Sequence, residues 1–111
     1  MKLLEIHTTV GSADDARRLA DAAVAQRLAA CVHLRPLASV YRWAGAVQHD
    51  EEFELVFKTT EAAAPPLRAL LLAQHPYALP ALYTLEVVEA SAPYHDWVVE
   101  STQRGAQAAP A

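Results

Sequence analysis

The sequence predicts a mixed α+β fold of order βαββαβ, built on a four-stranded antiparallel sheet with helices on one face. Three observations carry this expectation. Strand-like and helix-like hydrophobic periods alternate along the chain. A long aromatic and β-branched ribbon turns back on itself at Ala44-Gly45. Gly11-Ser12 and Pro65-Pro66 punctuate the chain where each crossover helix should open.

Leu3 to Val10 reads as the first strand. Ser12 is the expected N-cap of the first helix, with Asp15 as its capping-box partner. Ala16, Leu19, Ala20, Ala23, Val24 and Leu28 recur at helical spacing and predict a shallow apolar stripe. Cys31 to Trp43 is the second strand, and Pro36, which lacks a ladder donor, assigns it to an edge or a bend. In the third strand Phe53, Leu55 and Phe57 share one face, while Glu52, Glu54, Val56 and Lys58 share the other. Pro65 and Pro66 suit the first turn of a second helix that carries Leu67, Leu70 and Leu71 and stops at Pro76. Ala81 to Glu89 is the last strand and Tyr94 to Thr102 a short final helix. The expectation is one domain over 1–103, followed by a frayed, alanine-rich tail over 104–111.

The second arm of the hairpin is unusually long. Ala46 to Thr59 contains no proline or glycine and spans about 46 Å when extended at ~3.3 Å per residue. A domain of 111 residues has a diameter of only roughly 35 Å. The ribbon should therefore overhang its own domain, and an exposed strand edge calls for a covering partner. Oligomerisation on this hairpin is the expectation, with the polar Gln48 to Glu52 stretch as the place where the strand could break.

Composition removes several function classes. A net charge of −4 with no basic stripe argues against nucleic acid as a partner. No apolar run reaches the ~20 residues of a membrane-crossing helix. A single cysteine allows no internal disulfide, which makes a reducing compartment, the cytoplasm, the expected location. Cys31 lies among apolar neighbours, where burial and inertness are the ordinary fate of a thiol. The five histidines show no i, i+4 pair, and there is no Cys-x-x-Cys, so a structural zinc site is not expected. Asp50, Glu51 and Glu52 form an acidic run of the kind that is usually solvated.

Several ordered blocks carry a family resemblance. They are Leu28-Ala29-Ala30-Cys31-Val32, Ser39-Val40-Tyr41-Arg42-Trp43-Ala44-Gly45, Glu51-Glu52 leading to Lys58-Thr59, His75-Pro76-Tyr77, and Pro93-Tyr94-His95-Asp96-Trp97. Over roughly residues 3 to 100 the chain resembles the CutA family, named for divalent-cation tolerance. The resemblance implies a ferredoxin-like subunit with a long central β-hairpin and an added C-terminal helix. It also implies a homotrimer similar in architecture to PII signalling proteins. It suggests that Tyr41, Trp43, Glu52, Lys58, His75 and Tyr77 gather in clefts between subunits. Packing of the two aromatics at a subunit interface, with Lys58 and Glu52 as an ion pair, is the plainer account of the same residues.

The family name further implies a divalent-metal ligand set, with copper foremost, for which His7 and His75 are the candidates. His7 stands where the family can carry a metal-liganding cysteine, and imidazole suits copper, nickel and zinc alike. The chain departs from the family run after His75-Pro76-Tyr77, because Ala78 and Ala81 stand where carboxylates are usual.

The favoured reading is therefore a trimeric, non-enzymatic, cytoplasmic protein of divalent-metal tolerance that needs no cofactor. The alternative is a PII-like small-molecule sensor that signals to a protein partner. Such sensors use phosphate-binding glycines, and Gly11, Gly45 and Gly105 lie in no glycine-rich loop. An acylphosphatase-like enzyme is rejected, because no arginine occurs from His7 to Ser12.

Overall fold

The structure, a computed structural model, describes residues 1–107. The elements are β1 (Leu3–Val10), α1 (Ala13–Ala25), β2 (Cys31–Trp43), β3 (Ala46–Thr60), α2 (Ala64–Gln74), β4 (Leu82–Val87) and α3 (Ala92–Gln107). The four strands form one sheet of order β2-β3-β1-β4, and every neighbouring pair is antiparallel. The expected α+β, βαββαβ fold class is thus present. Pro36 sits on β2, an edge strand, where a missing ladder donor costs little.

Strand parity divides the sheet into two chemically different faces. On the first face β1 presents Ile6, Thr8 and Val10, and β3 presents Leu55, Phe57 and Thr59. α1 adds Ala16, Leu19, Ala20 and Ala23, and α2 adds Ala64, Leu67 and Leu71. Ile6, Val10, Leu19, Leu55, Phe57, Leu67 and Leu71 are each wholly buried there. The alanines let α1 approach the sheet closely. Val24 departs from the predicted stripe, being 43% exposed, and Leu28 is buried from the loop after the helix rather than from the helix.

The ends of the elements follow local chemistry. Ser12 caps α1 by accepting from the Asp15 N–H at 3.1 Å, while the Asp15 carboxylate turns to Arg18 instead of closing a capping box. Thr59 Oγ1 donates to the Leu28 carbonyl at 2.7 Å, and the Ala30 N–H donates to the Lys58 carbonyl at 2.8 Å. These bonds fix how the chain leaves α1 and enters β2. The hairpin turn places both Ala44 (φ 53°) and Gly45 (φ 79°) in the left-handed region, as a two-residue primed turn requires.

β3 runs unbroken through Gln48 to Glu52, the polar stretch where it could have broken, so the arm has its expected length. Its register with β1 ends at Val10 opposite Phe53, so Ala46 to Glu52 pair only with β2. The hairpin therefore projects as a two-stranded ribbon, and the longest dimension of the chain is 44 Å. Val40, Trp43 and Val47 at its tip are all more than half exposed. β4 is shorter than predicted, and α3 is longer at both ends than the expected Tyr94 to Thr102. The helix continues to Gln107, past the expected boundary at 103, and residues 108–111 of the expected 104–111 tail lie outside the described residues.

The second face is polar at its centre. Leu3, Glu5 and His7 of β1 lie there beside Glu54 and Lys58 of β3, Arg35 of β2, and Tyr83 and Leu85 of β4. α3 covers one end of this face, where Val98 and Tyr94 lie over Leu3, Glu5, Lys58 and Val87. The two helices of the βαββαβ order, α1 and α2, share the core face as expected, and the added C-terminal helix lies elsewhere. Among the described residues no helix is long and apolar enough to cross a membrane.

An ionic ladder crosses the second face. Lys58 Nζ lies 2.5 Å from Glu5 Oε2, and Glu5 Oε1 lies 2.9 Å from His7 Nε2. Arg35 grips Glu54 through Nε at 2.8 Å and a terminal nitrogen at 2.7 Å. The Lys58 hydrogen bond, and secondarily His7, hold the Glu5 carboxyl below its ordinary value of 4.5 against the opposing effect of burial.

Two outcomes follow from this architecture. Phe57→Ala should lower stability by about 3–5 kcal/mol, because the emptied site is walled by rigid strands and helices; urea denaturation at fixed protein concentration measures it. A carboxylate with a depressed folded-state pKa contributes stability that is complete above its unfolded value and is lost as pH falls through the lower, folded one. Stability should therefore decline below about pH 4.5, and Lys58→Met should flatten that acid limb in a series of urea titrations.

Candidate functional site

The candidate site forms where the α2–β4 connection crosses the end of β1 and meets the base of the hairpin. α2 ends at Gln74 because His75 adopts an extended conformation (φ −67°, ψ 135°) ahead of Pro76. Arg18 of α1 donates to the Gln74 carbonyl at 3.2 Å and holds this end in place. His75 Nε2 lies 2.9 Å from the hydroxyl of Thr8, a buried residue on the core face of β1. The Tyr77 N–H donates to His75 Nδ1 at 3.1 Å.

From there the Tyr77 side chain reaches across to the hairpin. Its hydroxyl donates to Glu52 Oε2 at 2.8 Å, and its ring lies 5.2 Å from that of His75. Gly11 makes room, since a Cβ there would stand 3.2 Å from the Tyr77 hydroxyl oxygen. One strand away, the Tyr41 hydroxyl donates to Asp50 Oδ2. The arrangement is a row of two phenols and two carboxylates beside a neutral imidazole.

The electrostatics agree with that row. Burial pulls His75 below its ordinary value of 6.5, so the ring is neutral at pH 7. Burial first, and then the Glu52 carboxylate, raise the Tyr77 phenol. The hydrogen bond to Asp50 is the main cause raising Tyr41. Both phenols are therefore protonated donors at pH 7, and the site presents carboxylate charge flanked by aromatic rings.

Of the six predicted cleft residues, Tyr41, Glu52, His75 and Tyr77 come together. Trp43 stands apart at the hairpin tip, 53% exposed. Lys58 is also elsewhere, paired with Glu5 rather than with Glu52, which lies well along β3 toward the tip. Asp50, Thr8 and Gly11 belong to the site but were not among the predicted cleft residues. Asp50 shares the strand parity of Glu52, which is the one signal that could have found it.

The two predicted metal ligands do not converge. His75 faces the core side of β1 through Thr8, whereas His7 belongs to the opposite face. Because its partner Glu5 is an acceptor, His7 Nε2 carries the proton. His7 Nδ1 is buried without a hydrogen-bond partner, 4.0 Å from Glu54 Oε2, and the ring stacks on Tyr83 at 5.1 Å. One imidazole nitrogen beside a carboxylate already held by Arg35 is short of a ligand set. Among the described residues no group of three or more His, Cys, Asp or Glu side chains is arranged to hold a metal ion. Cys31 is partly buried, opposite Lys58, and joins no such group.

Comparison with known proteins places this geometry in a family. The chain matches the family described as CutA1 divalent ion tolerance protein over residues 4–101. It is 45% identical over 95 residues to the divalent-cation tolerance protein CutA of Thermus thermophilus, a match covering 85% of this chain and 92% of that protein. It is 36% identical over 89 residues to human Protein CutA, covering 79% of this chain but only 50% of that longer protein. The solved structure of CutA from Synechococcus elongatus is similar with a TM-score of 0.89 and 42% identity, over 91% of this chain and 90% of that one. With the sheet, the overhanging hairpin and the family match in agreement, the chain belongs to the CutA1 divalent ion tolerance protein family.

Proposed function

We propose that the protein acts as a non-catalytic homotrimer in divalent ion tolerance, with neighbouring copies covering the projecting hairpin and sharing the clefts along its base. The observation that carries this reading is the unpartnered ribbon. β3 from Ala46 to Glu52 has no β1 strand beside it, yet it bears Val40, Tyr41, Trp43 and Val47 as exposed apolar groups on and opposite it. A ribbon of that kind invites edge pairing or burial by another chain. Tyr83 and Leu85, about half exposed beside the ionic ladder, add apolar surface on the second sheet face.

Catalysis is not part of the proposal. The phenols at the site are raised, and the imidazole is engaged on both nitrogens. The reading rests on assembly, and copper is the divalent ion against which tolerance is best examined. The proposed compartment is the cytoplasm, on the strength of the single cysteine. Family members are not confined there, since relatives are named as chloroplastic and periplasmic.

A second reading, small-molecule sensing through the clefts, is favoured by the Tyr41, Asp50, Glu52 and Tyr77 row, which mixes aromatic walls with a few fixed polar groups. CutA from Synechococcus elongatus has been solved complexed with a Bis-Tris molecule. Isothermal titration against nucleotides and against metal salts separates the two readings, because nucleotide binding without metal response favours the sensor.

Sedimentation equilibrium at micromolar concentration tests the assembly directly. The expected particle contains three chains of 12.1 kDa, and a stable single chain refutes the proposal. Trp43→Ala should weaken assembly by about 2–4 kcal/mol, the range of a central aromatic anchor. Native mass spectrometry over a dilution series reads that loss, and an equally stable trimer would remove Trp43 from the interface.

A further inference from the structure

A family named for divalent ions directs attention to His75 as a ligand, but its hydrogen bonds give it a different task. A backbone N–H can only donate, so the Tyr77 N–H at 3.1 Å requires an unprotonated Nδ1. The neutral ring then carries its proton on Nε2 and donates it to Thr8 Oγ1 at 2.9 Å. Neither nitrogen retains a free lone pair, and a coordinating imidazole needs one. The ring closure from Nδ1 to the N–H two residues on is the same as that of an Asx-turn, in which an Asn or Asp oxygen holds the backbone. The nearby carboxylates of Glu52 and Asp50 accept from Tyr77 and Tyr41, and among the described residues no group of three or more His, Cys, Asp or Glu side chains is arranged to hold a metal ion.

What the turn holds is Tyr77, and what Tyr77 touches is Glu52. Glu52 is the first residue of the hairpin arm beyond Phe53, the last β3 residue paired with β1. Thr8, His75, Tyr77 and Glu52 therefore form one continuous connection from the buried face of β1 to the point where the hairpin loses its support. Arg18, bound to the Gln74 carbonyl, steadies the same connection from α1.

We infer that His75 is a positioning residue, not a divalent-ion ligand: it fastens the α2–β4 connection so that Tyr77 props the overhanging hairpin at Glu52. The inference deepens the cleft reading above, because Tyr77 and Glu52 belong to that cleft. Sedimentation tests the assembly, whereas the measurements below test the fastener and can fail independently.

Two substitutions separate a fastener from a ligand in the full chain at pH 7. His75→Asn keeps a side-chain acceptor for the Tyr77 N–H and removes the imidazole, while His75→Leu removes both. Amide hydrogen exchange at Tyr77 should be equally slow in wild type and His75→Asn, and at least tenfold faster in His75→Leu. Titration with copper(II) alone and zinc(II) alone should give the same dissociation constants for wild type and His75→Asn, within about twofold. A tenfold or greater loss of metal affinity in His75→Asn, with Tyr77 still protected, overturns the inference. Unchanged protection in His75→Leu overturns it as well. Should the leucine variant fail to fold, the ring ¹⁵N shifts of the wild type decide: the Nε2–H tautomer supports the fastener, and the Nδ1–H tautomer refutes it.

Discussion

The structure depends on one pairing, that of β1 with β3. It sets Ile6 against Phe57 and Thr8 against Leu55 on the core side, and Glu5 against Lys58 on the other. A shift by one residue would send every one of these side chains to the wrong face. The pairing also has a definite end, at Val10 opposite Phe53, because Gly11 and Ser12 turn the chain into α1. β2 and β3 continue without β1, and the rest of the molecule's character follows from that difference in length.

The two faces of the sheet contribute differently. The core face holds seven large, wholly buried aliphatic and aromatic side chains, each contributing about 1.5–3 kcal/mol by burial. The ladder of Lys58, Glu5, His7, Glu54 and Arg35 cannot compete with that total, since partly exposed ion pairs contribute roughly 0–1 kcal/mol each. Its effect lies in specificity. Charges spaced along β1, β2 and β3 fit only one register, and they keep the second face from being wholly apolar. Tyr83 and Leu85 provide apolar surface at one side of that face, and the hairpin tip provides more. A chain with a satisfied core and an unsatisfied ribbon is suited to meeting copies of itself, which is why the functional reading rests on assembly.

The site at the hairpin base is the second consequence of the pairing's end. Past Phe53 the hairpin has no neighbouring strand, and the α2–β4 connection supplies the nearest substitute. Tyr77 reaches Glu52 because Gly11 leaves space, because His75 holds the Tyr77 backbone, and because Thr8 anchors His75 to the core. Residues that could pass individually for ligands or catalytic groups are thus engaged with one another. The same holds for His7, whose Nε2 is committed to Glu5 while its Nδ1 is sealed beside Glu54.

Most of the architecture was legible in the order of residues. Period-2 alternation from Phe53 to Lys58, the alanine stripe of α1, Ser12 and the proline pair at Pro65 are local signals, read over one or two turns or strands. They suffice for element types, for the core faces and for the length of the hairpin arm. The site was only half legible: within one chain Tyr41, Glu52, His75 and Tyr77 come together, Lys58 and Trp43 lie elsewhere on the hairpin, and Asp50, Thr8 and Gly11 join from outside the expected group. Whether Lys58 meets Glu5 or Glu52 depends on register between strands more than fifty positions apart in the chain, and no local pattern encodes it. The position of α3 likewise depends on which face of the sheet was left uncovered. Sequence by itself determined what each segment is; tertiary structure decided which segments touch, because contact is set by strand register and layer order, which belong to the whole chain at once.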